Sequence, residues 1–159
     1  MRLKSLLAVS VLLVFAFIIT GSGNYQSTCM SINAKQMREM LTQLGYEVKD
    51  LVTDPGKEKY TVTITREGLD IPVAAEISPN LKFVWLTVNL GPTVPENATR
   101  HFTMLKQNSI IQPCQFYFTE GGKQMMGLPV ENRGISNAML RERLETIAGR
   151  VGETKAIWQ

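Results

Sequence analysis

A chain of 159 residues with 44% apolar and 19% charged side chains fits one globular domain rather than two. One histidine and two cysteines are too few to build a zinc cage of four His and Cys ligands. The formal charge of +3 is small and its lysines and arginines are scattered among acids, which argues against the clustered cationic face of a nucleic-acid reader.

Arg2 and Lys4 make a basic start, and Leu6 to Ile19 follows as an apolar run broken only by Ser10. Small residues, Thr20-Gly21-Ser22-Gly23, close the segment. This order predicts a secretory signal peptide over 1–23 and an exported protein, periplasmic or secreted. The alternative is an uncleaved anchor, but the run falls short of the roughly 20 residues that span hydrocarbon, so no stable membrane anchor is expected after cleavage. Cleavage removes two bases and no acid from totals of 17 and 14, leaving the mature chain near neutrality. In an oxidising compartment Cys29 and Cys114 have a single possible intrachain pairing. Closing that loop of about 85 residues stabilises by roughly 4–5 kcal/mol in the chain-entropy model. Two unpaired thiols, Cys114 in the core and Cys29 on a leader over 24–32, are the other reading.

The domain is expected over 33–159. Ser31 or Asn33 can cap a first helix, Asn33 and Gln36 have capping-box spacing, Met37, Met40, Leu41 and Leu44 form an apolar stripe, and Gly45 suits a left-handed stop. A helix is predicted over 33–44. The period then changes to two. A short strand carries Tyr46, Val48 and, after a slip, Leu51 and Val52; Asp54-Pro55-Gly56 turns the chain. Tyr60, Val62 and Ile64 alternate with threonines, and beyond Glu67-Gly68 the residues Ile71, Val73, Ala75 and Ile77 repeat the pattern. Ser78-Pro79-Asn80 leads into a strand over 83–90, ended by Gly91-Pro92. A second helix is predicted from near Pro95 to Asn108 with Ala98, Phe102 and Leu105 buried. Strands follow over 114–119 and 123–130, joined by Glu120-Gly121-Gly122. Ile135, Ser136 and Leu140 have the spacing of a staple and cap for a last helix burying Leu140, Leu144, Ile147 and Val151. Ile157 and Trp158 form an apolar tail expected to dock back on the domain. The order α-β-β-β-β-α-β-β-α predicts an α+β fold, an antiparallel sheet of about six strands with helices mainly on one face.

Catalytic signals are thin. Neither a G-x-S-x-G elbow nor a G-x-x-x-x-G-K-[ST] loop is present. Gly121-Gly122-Lys123 joins two strands and reads as a hairpin. His101 is the sole imidazole, so a histidine base, or a Cys114–His101 nucleophile pair, would have to use it. Cys114, however, alternates in phase with Phe116 and Phe118, the pattern of a core position. Asn97-Ala98-Thr99 matches a glycosylation acceptor at low specificity. No catalytic residue, metal site or cofactor is expected.

Strand parity yields a stronger signal. Val84, Leu86, Val88 and Leu90 share the core side of their strand, so Phe83 and Trp85 point the opposite way. By the same alternation Tyr117 and Met125 leave the core faces of their strands. The sheet face away from the helices therefore carries Phe83, Trp85, Tyr117 and Met125, an apolar group of the kind found at contact sites. Coverage by the leader 24–31 or the tail 155–159 is the alternative.

Leu44-Gly45-Tyr46, Ile77-Ser78-Pro79-Asn80, Leu105-Lys106-Gln107-Asn108 and the closing Leu140, Leu144 and Trp158 resemble the YbjN-type proteins, which share the class I type III secretion chaperone-like fold. The resemblance covers roughly residues 33–158. It implies homodimers that bind extended segments of partner polypeptides, without a cofactor or turnover. Such chaperones are cytosolic and acidic; this chain departs on both counts. The sequence thus leads to an exported, non-enzymatic protein-binding module, a homodimer whose contact patch is Phe83, Trp85, Tyr117 and Met125. The rival readings are a binder of a small molecule or lipid in a cleft between sheet and helices, and an enzyme using His101 or Cys114.

Overall fold

A computed structural model describes residues 30–93 and 97–159. The first helix, α1 (Ala34–Gln43), begins where local chemistry requires. Asn33 accepts from the Gln36 amide at 2.9 Å while Gln36 accepts from the Asn33 amide at 2.9 Å, a complete capping box. It ends in a Schellman motif: Tyr46 N–H donates to Leu41 O, and Gly45 N–H to Thr42 O, with Gly45 at φ +88°. Met37 and Leu41 are its buried side chains.

The strands are β1 (Lys49–Val52), β2 (Lys59–Arg66), β3 (Leu69–Ile77), β4 (Phe83–Pro92), β5 (Gln115–Phe118) and β6 (Lys123–Glu131). They form one antiparallel sheet in the order β1-β2-β3-β4-β6-β5. The slip in β1 is a bulge: Asp50 pairs with Tyr60 and Val52 with Lys59, leaving Leu51 as the extra residue. Glu67 and Gly68 both have positive φ, as a two-residue turn of type I′ requires. The β4 pairing differs from expectation, because Gly91 and Pro92 remain in register with Gln124 and Lys123 beyond a bulge after Asn89.

The helices are α2 (Ala98–Gln107), α3 (Asn137–Glu153) and a short α4 (Lys155–Trp158). Ser136 accepts from the Met139 amide at 3.2 Å and starts α3. Leu140, Leu144, Ile147, Ala148 and Val151 lie against the buried side chains of β2, β3, β4 and β6, which makes the expected α+β fold. The closing helix breaks at the buried Thr154, whose hydroxyl donates back to Arg150 O at 2.6 Å, so the tail is a separate turn. Trp158 Nε1 donates to Val151 O at 2.9 Å, and α4 packs on α2, which places the tail away from the sheet's second face.

Two expectations are corrected. α2 starts with Asn97 as its cap, accepting from the Arg100 amide, so the candidate glycosylation asparagine has a structural role. The stripe of Ala98, Phe102 and Leu105 faces outward; Met104 and Ile111 are buried instead. The cause is long-range. Asn108 accepts from Phe116 N–H at 2.7 Å and donates to Phe116 O at 3.1 Å, which fixes the helix's rotation and occupies the outer edge of β5.

One polar residue ties the incoming chain to the sheet. The Asn132 side chain is 0% exposed; its Oδ1 accepts from Ile32 N–H, and its Nδ2 donates to Ile32 O and Leu81 O. Ser31 bridges Arg133 beside it. The expected signal segment, most of the expected leader, Cys29 and Pro95 lie outside the described residues.

Candidate functional site

On the face opposite α3, β4 presents Phe83, Trp85, Thr87 and Asn89, while β5 presents Tyr117 and β6 presents Met125. Trp85, Tyr117 and Met125 are half-buried and Phe83 is exposed. Gly127, which stands between them on β6 opposite both Thr87 and Gln115, shapes their arrangement. A β-carbon added there would lie 3.0 Å from Cε1 of Tyr117 and 3.9 Å from Cζ3 of Trp85. The Tyr117 ring therefore lies close over Gly127, the two rings both line the floor of one depression, and a larger residue at 127 would displace Tyr117. Thr87, in register with Gly127, is only 7% exposed.

This floor belongs to an open depression of about 680 Å³. Its walls are the turn Gly56 to Glu58, the end of β3 at Glu76 and Ile77, Ser78 and Pro79, and Gln115. A second recess of about 470 Å³ shares the Ile77 to Pro79 wall and runs on to Asn33, Ala34 and Leu81 at the start of α1. Of the four residues expected at the patch, Trp85 and Tyr117 meet in the larger depression. Phe83 lines a separate recess with Leu81 and Arg133, and Met125 pairs with Tyr117 on the far side. Sequence reasoning missed Glu58, Glu76, Gln115 and Gly127. A lone glycine inside a strand was the available signal for close approach; nothing local marks the other three.

Two carboxylates, Glu58 and Glu76, meet two ammonium groups, Lys57 and Lys59, at the site. Lys59 Nζ reaches Glu76 Oε2 at 2.9 Å, and Oε1 of Glu76 has no ion-pair partner among the described residues. Burial, and secondarily the negative charge of Glu76, raise the Tyr117 phenol above its ordinary pKa.

A second apolar surface comes from the rotation of α2. Phe102 is 57% exposed and Leu105 63%, one turn apart on the outward face, with Ile110 exposed just beyond the helix. Lys106 Nζ lies 4.5 Å over the Phe102 ring, and His101 packs edge-on against Phe118 at 4.8 Å.

The candidate nucleophile is withdrawn from chemistry. Cys114 is fully buried, and desolvation pushes its thiol up to about 11. Phe118, expected in phase with the core, sits exposed at the strand's end. Among the described residues no three of His, Cys, Asp and Glu gather as a metal site would require.

No family model matches the chain, and no curated protein matches it. Solved structures similar in chain path include one of the Yersinia pestis type III secretion chaperone SycH in complex with a stable fragment of YscM2. That match has 14% identity and a TM-score of 0.49, and it covers 75% of this chain and 96% of the other. Another is the heterodimeric ExoU–SpcU complex of the Pseudomonas aeruginosa type III secretion system, at 12% identity and a TM-score of 0.46, covering 75% and 94%.

Proposed function

We propose that this protein is an exported, non-catalytic protein-binding module that works as a homodimer, an exported variant of the YbjN-type proteins its sequence motifs resemble. The observation that carries the reading is the orientation of α2. An amphipathic helix normally turns its apolar stripe inward, yet here Phe102 and Leu105 face solvent while the helix is held by Met104, Ile111 and Asn108. A contiguous apolar stripe on an outer surface marks an association site, and a second copy, related by a two-fold axis, offers a matching stripe. The Trp85 and Tyr117 floor, on the other side of the molecule's sheet, is then free to receive a partner polypeptide, with Phe83 and Met125 flanking it.

The inert setting of Cys114 supports a role without turnover. The competing small-molecule reading placed its cleft between sheet and helices, where α3 fills the space with leucine and isoleucine; the large depression lies instead on the outer sheet face. Sedimentation velocity of the wild-type protein and of a Phe102→Ser, Leu105→Ser double variant tests the reading. The expected result is a concentration-dependent dimer that the variant abolishes without loss of folded structure. Identical monomeric behaviour of both proteins refutes it.

A further inference from the structure

We infer that the depression over Trp85 and Tyr117 receives the guanidinium of an arginine in an extended segment of the partner polypeptide, an inference that rests on the protein-binding reading above. The floor is lined by two aromatic rings, with Tyr117 lying close over Gly127. Aromatic faces attract cations, tryptophan most strongly, and a planar guanidinium stacks on them where an ammonium makes only a point contact. The walls bring two carboxylates, Glu58 and Glu76, beside the exposed Lys57, with Lys59 paired to Glu76. Glu76 uses Oε2 for Lys59, so its other oxygen can accept one prong of an arginine fork. Glu58 is half-buried and forms no ion pair among the described residues.

A further polar group faces the same space. Thr87 lines the depression while more than nine-tenths buried. The volume of about 680 Å³ exceeds what one arginine side chain fills, and the recess continues along the Ile77 to Pro79 wall. The flanking residues of the segment are therefore accommodated in the same trough, with the arginine as its anchor.

The test is a titration of the ¹⁵N-labelled protein with the acetylated, amidated peptide Ser-Leu-Arg-Leu-Ser and with its citrulline counterpart, which keeps the shape and loses the charge. The expected result is a saturable movement of the Trp85 indole N–H resonance, while that of Trp158, bonded to Val151 O, stays in place. Binding of the citrulline peptide, and binding of the arginine peptide to Glu76→Gln, are each expected to be weaker by about tenfold. Glu153→Gln, a carboxylate lost from α3, is expected to leave binding unchanged. Equal affinity for the two peptides, or an unaffected Glu76→Gln variant, overturns the guanidinium assignment and leaves the protein-binding reading standing. No response at Trp85 to either peptide overturns the assignment together with the sheet face as a peptide surface; self-association through α2 is read separately by sedimentation.

Discussion

Asn132→Ala should be among the most destabilising single truncations of a polar residue in this protein. The side chain is fully buried and makes three hydrogen bonds: it accepts from Ile32 N–H at 3.1 Å and donates to Ile32 O at 3.0 Å and Leu81 O at 2.9 Å. Alanine leaves one amide and two carbonyls without those partners. At about 1 kcal/mol for each net bond, the expected loss is about 3 kcal/mol. Leu81 adds to the effect, since it sits at φ +58°, a conformation costly for a side chain with a β-carbon, and Asn132 helps to hold it there. In urea the midpoint should fall by about 1–2 M at an unchanged slope. Asn132→Asp separates this account from a simple loss of volume. It keeps the acceptor for Ile32 N–H but turns a carboxylate toward two carbonyl oxygens, so at neutral pH it should cost at least as much as alanine. A loss below about 1 kcal/mol for alanine, or an aspartate variant close to wild type, would refute the reasoning, because an essential cross-link cannot be removed so cheaply.

Other consequences are simpler to check. With Cys29 replaced by serine, the Cys114 thiol should resist a disulfide reagent at pH 8 in the native protein and react fully in denaturant; rapid native labelling would contradict its burial. Because its folded pKa is raised from 9.0 to about 11, its contribution to stability is present below about pH 9 and lost as pH rises toward 11, since the unfolded chain ionises first; stability that climbs across that window in the wild type, but not in Cys114→Ala, would have the wrong sign. Ser136→Ala removes the α3 cap and should cost about 1 kcal/mol by thermal or urea unfolding, whereas no change would mean the cap bond is not made in solution. Gly127→Val should displace the Tyr117 ring that lies close over Gly127 and increase quenching of Trp85 by iodide, with unchanged quenching arguing against that close approach.

Short-range chemistry was legible in the sequence and long-range placement was not. The capping box at Asn33, the glycine stop at Gly45 and the alternation in β2, β3 and β4 depend on neighbours within a few residues, and each is where the pattern put it. The α2 stripe shows the limit. Period 3.6 finds that Ala98, Phe102 and Leu105 share a face, but which face meets the core depends on Asn108 reaching Phe116 and on α4 docking alongside. Nothing in the local sequence marks Asn132, because its partners lie about 50 and 100 positions away. The site divides in the same way. Parity placed Trp85 and Tyr117 on one face, yet the walls of the depression come from turns at 56–58 and 78–79 that meet only through the sheet order. The segment expected to direct export and Cys29 lie outside the described residues.

The most direct measurement is an isotope-filtered NMR experiment on a mixture of ¹³C-labelled and unlabelled protein, which records contacts between copies alone. Cross-peaks joining the Phe102 ring of one copy to the Leu105 methyls of another are the result this account predicts. Their absence at concentrations where the protein is soluble, or contacts between copies at Trp85 instead, would contradict the claim that α2 turns its apolar stripe outward to meet a second copy.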